Sequence, residues 1–366
     1  MKTINIDLGS ISYPVYISEN ILGQLSEFVK NIEVPGRIYV IIDEFIYKKY
    51  SSEMEVFFRK NEINPFVLKG KKNNKTFYSA MKIFADLDGG NFARDTTIFA
   101  IGGGVIGDLA GFVSSCWYRG SNLVHIPTTL LSAVDSCLGG KTAINFKSTV
   151  NAIGSYHHPT AILIDSKLLM ELPPREISSG FAEIIKYAVL GAPKITECIS
   201  KENTLSSSLL AWYVEQSLKQ KERFVKNDIS ESANRLFLNF GHTIGHAIEF
   251  STIYNGEETL RHGQGVALGM LAIFRICIEL GYLEESDIKW LRSILDRYGL
   301  PIYYESMTIG LKPEKLVKSI LNLTFKDKKR TNTGLRLILL DGIGNPFIYK
   351  TDSQKLIKFG IEEVIK

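Results

Sequence analysis

Short apolar runs recur through the first half of the chain. They are KTINIDL (2–8), PVYIS (14–18), RIYVIID (37–43), NPFVLKG (64–70), TTIFAIGGG (96–104), SNLVHIPTT (121–129) and TAILID (160–165). Each is short, rich in β-branched residues, and bounded by polar or glycine positions, which predicts strands. Between them, EMEVFFRKNEI (53–63) and FYSAMKIFADL (77–87) place apolar residues three and four apart, the helical period. Strands alternating with helices predict an α/β domain built on a parallel sheet.

The pattern changes at LLMELPPREISSG (168–180). Pro173 and Pro174 interrupt it, and Ser178 is a candidate cap for the next helix. From there to about residue 300 the helical period dominates, in GFAEIIKYAVL (180–190), LAWYVEQSLKQKERFVKN (210–227) and QGVALGMLAIFRICIEL (264–280). This predicts a boundary near residue 170, with residues 1–170 forming the α/β domain and 171–366 a mostly α-helical one. LRLILLDGIGNPFIY (335–349) predicts a small hairpin added to the helical half. No internal repeat is evident.

The bulk properties narrow the classes. Forty-three basic and 39 acidic residues leave a net charge of +4, too balanced to indicate a nucleic-acid partner. A 45% apolar content suits a chain with a sizeable core. The N-terminus lacks an apolar signal core, and LGMLAIFRICIELGYL (268–283) carries Arg275 and Glu279. That run is too short and too charged to span a bilayer, and predicts a buried helix. Cys116, Cys137, Cys198 and Cys277 lie far apart with no CxxC pair, as expected of reduced thiols in the cytoplasm.

Candidate chemistry begins with AIGGGVIGDLAGF. Gly102, Gly104 and Gly107 have GxGxxG spacing after a strand, where glycines admit a pyrophosphate to a helix N-terminus. The same glycines also suit a strand-to-helix turn that needs close packing. The acid expected about twenty residues downstream of a dinucleotide loop is missing. Asp43, ending an earlier strand, could meet a ribose if that strand neighbours the glycine strand.

Three of the six histidines cluster in a short span: His242 and His246 in NFGHTIGHAIEF, and His262 in RHGQGVALGM. His242 and His246 share one face of a predicted helix. Histidines with a carboxylate suit a zinc-type site that keeps an open position. Such residues are also found as ordinary hydrogen-bonded core or surface histidines. HExxH is lacking, so a zinc-protease reading has no support. GFAEIIKY offers Glu183 one turn from Lys186, and an acid in an apolar helix needs a metal or a cation partner. Arg119, Lys141, Lys186, Lys221, Arg235 and Lys328 sit in apolar or glycine contexts. With Asn151 and Asn239 they could clamp an anionic substrate.

Six ordered segments, GGGVIGDLAGF, YRG, IPTTLLSAVDSCLGGKTAIN, LPPREISSGFAEIIKY, LNFGHTIGHAIE and RHGQGVALGM, closely resemble the 3-dehydroquinate synthase family of sugar-phosphate cyclases. The match runs from about residue 100 to 270. The resemblance implies an NAD-binding N-terminal α/β domain, a C-terminal helical domain for metal and substrate, a divalent metal (zinc or cobalt), and a homodimer. It implies Glu183, His242 and His262 as metal ligands, and catalytic roles for His246, Glu231, Lys141 and Lys186. It places Lys221 and Arg235 on a substrate carboxylate, and Lys141, Asn151, Asn239 and Lys328 on phosphate and ring oxygens. Asp135 joins the substrate site, and Arg119 reaches the neighbouring subunit's site. Asp43, Lys75, Gly102, Gly103, Gly104, Asp108, Thr128 and Thr129 fall on NAD contacts.

The implied substrate is the seven-carbon sugar acid phosphate DAHP. The implied reaction is oxidation by NAD, phosphate elimination, reduction and intramolecular aldol closure to 3-dehydroquinate. Three positions depart from the family pattern: Val150 in place of a lysine, Lys72 in place of a glutamate, and Gln264 in place of a glutamate. Three alternatives remain. They are a cyclase of the 2-deoxy-scyllo-inosose or valiolone type, a dehydrogenase of the glycerol dehydrogenase type, and a non-catalytic binding protein that kept the fold.

Overall fold

The seven apolar runs of the first half all become strands of one sheet. In the computed structural model, which describes residues 1–32, 34–147, 149–201, 204–325 and 334–366, they are β1 (Lys2–Asp7), β2 (Ser12–Ser18), β3 (Ile38–Asp43), β4 (Phe66–Leu68), β5 (Thr97–Gly102), β6 (Asn122–Pro127) and, after a separate hairpin of β7 (Lys141–Phe146) and β8 (Thr149–Tyr156), β9 (Ala161–Asp165). The strand order is β1-β2-β9-β6-β5-β3-β4. Only β1 is antiparallel to its neighbour; the other pairings are parallel. Every residue of β5 and β9 is buried, as expected for parallel strands covered on both faces.

Helices α1 (Leu25–Asn31), α2 (Glu44–Lys60), α3 (Phe77–Gly89), α4 (Gly104–Cys116) and α5 (Ser166–Met170) belong to this layered unit. Ile41, Ile98, Ile106, Leu109, Leu123 and Ile144 are all completely buried and form part of the core between sheet, α4 and hairpin.

The chain forms two compact units, and they are not two halves of the sequence. The first comprises Met1–Leu172 and Leu205–Glu231; the second comprises Pro173–Thr204 and Ser232–Lys366. Helices α6 (Pro174–Val189) and α7 (Pro193–Lys201) open the second unit. Then α8 (Ser207–Val225) returns to the first, where it packs on α5, β1 and β2. Residues 205–231 are therefore a correction to the single cut expected near residue 170. Helical periodicity shows that α8 has an apolar face but not which surface covers it.

The second unit continues with α9 (His242–Ser251), α10 (His262–Glu279), α11 (Glu285–Arg297), α12 (Pro313–Thr324), the antiparallel hairpin β10 (Leu335–Leu340) and β11 (Pro346–Thr351), and α13 (Gln354–Glu362). The hairpin predicted at residues 335–349 is thus present. α6 starts earlier than Ser178 suggested. Pro174 occupies its first turn, where the missing N–H costs nothing, and the Ser178 hydroxyl donates instead to the Arg175 carbonyl at 3.1 Å.

α10 is the central helix of this unit, packed against α6, α9, α11, α13 and β10. Among the described residues no helix is long and apolar enough to cross a membrane.

Glycines let α9 and α10 touch backbone to backbone. A Cβ added at Gly269 would stand 1.9 Å from the Gly241 carbonyl oxygen, and one at Gly245 would stand 2.7 Å from the Gly265 oxygen. A Cβ at Gly263 would lie 2.0 Å from the Ser179 oxygen of α6. These contacts bring the starts of α9 and α10 alongside α6, and the histidines come with them.

Candidate active site

In the first unit, β5 runs directly into α4 through Gly102, Gly103 and Gly104, with Gly103 at the N-cap. A Cβ on Gly102 would meet Ile106 Cγ1 at 2.5 Å, and one on Gly103 would meet Thr129 Cγ2 at 2.9 Å. Close packing against Ile106 and Thr129 therefore requires glycine at these two positions, and no side chain caps the α4 N-terminus. Thr128 donates its backbone N–H to the Gly102 carbonyl at 3.0 Å, tying the ends of β5 and β6 together. β3 is the parallel neighbour of β5, so Asp43 stands beside the glycine loop. Its carboxylate accepts from Phe45 N at 2.8 Å, capping α2, and from Gly70 N at 2.8 Å.

The charged candidates of this unit form three groups. Buried Lys75 donates to Asp108 on α4 at 2.6 Å and to the Asn151 side chain. Lys221 on α8, also buried, pairs with Asp135 Oδ1 at 3.0 Å and donates to the Asp135 carbonyl at 2.6 Å. Lys141, at the start of β7, pairs with Glu231 at 2.5 Å.

Asn151 and Glu231 adopt φ of 53° and 60°, left-handed values uncommon outside glycine. Arg119 is exposed at a corner after α4, where Tyr118, Arg119 and Gly120 have φ of 49°, 67° and 125°. Lys328 lies outside the described residues.

The second unit gathers Glu183 and Lys186 on α6, His242 and His246 on α9, and His262 at the first position of α10. The three imidazole rings stand with centroids 5.3 Å apart in every pair. Glu183 is completely buried, and neither of its oxygens accepts a hydrogen bond of good geometry among the described residues. Its Oε1 faces His242 Nε2 at 3.4 Å and His262 Nε2 at 3.7 Å, while Lys186 pairs with Oε2. Lys186 also donates to the Leu238 carbonyl at 3.0 Å. The segment Asn234–Asn239 carries Arg235, 1% exposed, and half-buried Asn239 in the same unit.

Hydrogen bonding separates the three histidines. A carbonyl oxygen can only accept, so the 3.0 Å contact of His242 Nδ1 with Phe240 O places the proton on Nδ1. The Nε2 lone pair then faces Glu183. His262 repeats the pattern, with Nδ1 3.4 Å from Glu249 Oε2 and Nε2 toward Glu183. At His246 no ring hydrogen bond is seen among the described residues, and its side chain is exposed. His242, His246 and His262 each offer a nitrogen within 4.8 Å of one another, and the Glu183 carboxylate faces two of them, a donor set suited to a zinc-like cation.

The electrostatics agree. Burial alone would raise the Glu183 carboxyl, but Lys186 and His242 outweigh it and hold it well below the usual range. Burial disfavours charge on His262, yet the Glu183 and Glu249 carboxylates push its imidazole up to about 9. His246 shifts the other way: desolvation, with His242 and His262 beside it, lowers its imidazole to about 3.

Glu249 was not singled out in the sequence, although an acid on the buried side of a helix that carries two histidines is a signal. Of the departures, Val150 is exposed on β8. Lys72 opens a short turn before α3. Gln264 Oε1 accepts from Arg261 N at 2.9 Å, closing a capping box at the start of α10.

Comparison with known proteins gives a consistent result. Residues 65–179 match the family "3-dehydroquinate synthase N-terminal" and residues 180–330 match "3-dehydroquinate synthase C-terminal". The chain is 35% identical to a 3-dehydroquinate synthase of Thermoanaerobacter sp. (strain X514), over 98% of this chain and 99% of that protein. It is 37% identical to one from Pseudomonas aeruginosa (strain UCBPP-PA14), over 95% and 93% respectively.

Among solved structures, 2-deoxy-scyllo-inosose synthase complexed with carbaglucose-6-phosphate, NAD+ and Co2+ superimposes with a TM-score of 0.86. It is 25% identical, over 99% of this chain and 100% of that one. A 2-epi-5-epi-valiolone synthase from Streptomyces hygroscopicus subsp. jinggangensis 5008, solved with NAD+ and Zn2+, shares the fold at a TM-score of 0.79 and 21% identity, over 96% of each chain. Near-complete coverage in both sequence and fold, on a chain that converges Glu183, His242 and His262, leaves one conclusion: this protein belongs to the 3-dehydroquinate synthase family.

Proposed function

We propose that the protein is a 3-dehydroquinate synthase, a phosphate-eliminating carbon–oxygen lyase that converts DAHP to 3-dehydroquinate and phosphate. The observation that carries this reading is the approach of His242 and His262 to the buried Glu183 carboxylate in a chain matching 3-dehydroquinate synthases over nearly its whole length. Glu183, His242 and His262 would hold a divalent metal, zinc or cobalt; the glycine-lined turn between β5 and α4 would hold NAD. When bound, the metal supplies Lewis acidity at the substrate oxygens and NAD supplies a reversible hydride acceptor.

The chain's own residues bind, orient and move protons. In the first unit, Gly102, Gly103 and Gly104 give the pyrophosphate access to the α4 N-terminus, with Asp43, Lys75, Asp108, Thr128 and Thr129 around the dinucleotide. Lys221 offers an ammonium to the substrate carboxylate. Lys141 and Asn151 offer donors to phosphate and ring oxygens, with Glu231 and Asp135 holding Lys141 and Lys221 in place. In the second unit, Arg235 offers a buried guanidinium fork to the substrate carboxylate. Asn239 contributes a further polar contact and Lys186 keeps Glu183 ionised. His246 carries no ring hydrogen bond among the described residues, which suits it to take and return a proton at the substrate.

A homodimer in which Arg119 reaches the neighbouring site, and residence in the cytoplasm, belong to the same proposal. The free state of all four cysteines supports the second.

The test is phosphate release from purified protein with DAHP, NAD and zinc or cobalt, with the carbocyclic product identified by mass and NMR. Phosphate together with 3-dehydroquinate supports the reading. Metal and NAD binding without turnover of DAHP, but with turnover of a carboxylate-free sugar phosphate, transfers the protein to another cyclase class. In the expected case, Arg235→Met lowers kcat/KM for DAHP by roughly 100-fold or more, the cost of leaving one partner of a buried charge pair unmatched.

A further inference from the structure

We propose that Glu249 is the positioning residue for His262, fixing its ring so that Nε2 faces the metal site. This rests on the reading of Glu183, His242 and His262 as metal ligands. Glu249 lies on α9, seven residues beyond His242, and is 6% exposed. Its Oε2 stands 3.4 Å from His262 Nδ1, on the side of the ring opposite Glu183.

An ionised carboxylate only accepts, so with a cation on Nε2 the one ring proton of His262 would sit on Nδ1, where Glu249 accepts it. The backbone does the same work for His242, through the Phe240 carbonyl at 3.0 Å. His262 has no such carbonyl contact among the described residues. It is the first residue of its helix, so its ring orientation depends on a group supplied from another element.

The tight α9–α10 approach provides that group: a Cβ on Gly265 would lie 3.4 Å from Glu249 Cβ. Burial of a carboxylate here is costly unless it is matched. A polarised Nδ1–H, with a cation on Nε2, would match it. Outer carboxylates of this kind orient the ligand and raise its basicity.

The test is metal binding to the full-length protein, stripped and then titrated. Co2+ is followed by its visible absorption and Zn2+ by competition with a chromophoric chelator. Glu249→Leu keeps the side-chain volume and removes the acceptor. It is expected to weaken both metals about 10- to 100-fold and to change the Co2+ spectrum. Glu249→Gln, whose amide oxygen can still accept, is expected to recover most of that loss.

Wild-type affinity and spectrum in Glu249→Leu would overturn the proposal. A second measurement does not depend on any variant folding: 15N NMR of zinc-loaded wild type should show His262 protonated on Nδ1 and metallated on Nε2. The reverse assignment also overturns it. His262→Ala run in parallel separates the two levels. If it keeps full metal, the ligand assignment itself is wrong; if it loses metal while Glu249→Leu does not, only the role of Glu249 fails.

Discussion

Lys186 reaches back one helical turn to the Glu183 carboxylate, and both side chains are sealed inside the second unit, at 1% and 0% exposure. A buried pair of this kind does not by itself indicate net stability, because desolvation offsets the attraction. Removing one partner is different, since the other charge is then left without compensation. Lys186→Met is expected to cost the metal-free protein roughly 3 kcal/mol or more in denaturant unfolding. Saturating zinc should restore much of that, because it binds only the native state. A loss that is small, or equal with and without zinc, would show that Lys186 does not hold Glu183 in this way.

The three histidines are expected to separate cleanly on substitution. His242→Ala and His262→Ala each remove a nitrogen that faces Glu183, so both should lose stoichiometric metal. His246→Ala should keep metal and NAD while kcat falls by roughly 100- to 10,000-fold, the range for a lost general acid–base group. Metal analysis after gel filtration decides the point. Full zinc in either of the first two, or none in the third, contradicts the assignment.

Gly269 sits where α10 crosses α9, and a Cβ there would meet the Gly241 oxygen at 1.9 Å. In an unconstrained helix, glycine to alanine stabilises by about 0.5–1 kcal/mol. Gly269→Ala is expected to act in the opposite direction, by about 1–3 kcal/mol through overpacking. It should also weaken metal binding by moving His262 away from His242. Gly89, at the end of α3 with nothing within 4 Å of its added Cβ, is the control and should be neutral or stabilising as alanine. Thermal melts of the two variants make the comparison.

His125 is buried on β6, and burial together with the neighbouring His157 lowers its pKa to about 4. The folded state therefore holds it neutral, whereas the unfolded chain protonates it near 6.5. Its contribution to stability is complete above about pH 6.5 and is lost as the pH falls toward about 4. The loss amounts to roughly 3 kcal/mol, at about 1.4 kcal/mol for each pH unit separating the folded and unfolded values. His125→Gln should flatten the fall in unfolding free energy between about pH 6.5 and 4 relative to wild type. Parallel pH profiles would contradict this.

Much of the site was legible before the structure. His242, His246 and His262 stood out as half of the chain's histidines in a short span, Glu183 as an acid in an apolar helix, and the glycine loop by its spacing after a strand; the choice of Glu183, His242 and His262 as ligands came from the family resemblance. Two things were not legible. Glu249 looks like any acid near the end of an amphipathic helix until α10 is laid beside it. The β7–β8 hairpin escaped because all eight residues of β8 are exposed, so TVNAIGSY carries no alternation of buried and exposed positions.

The sequence by itself determined the strands of the sheet, since each is a short apolar run that packs into the core. It also determined the helical character of the second unit, since its periods are long and regular. Both are local properties, set by which side chains must leave water. Only the tertiary structure decided that α8 rejoins the first unit. Only it showed that backbone contact at Gly241, Gly245, Gly265 and Gly269 sets the spacing of the histidines. Those outcomes depend on which surfaces meet, and pairings between distant segments leave no periodic trace in a single chain.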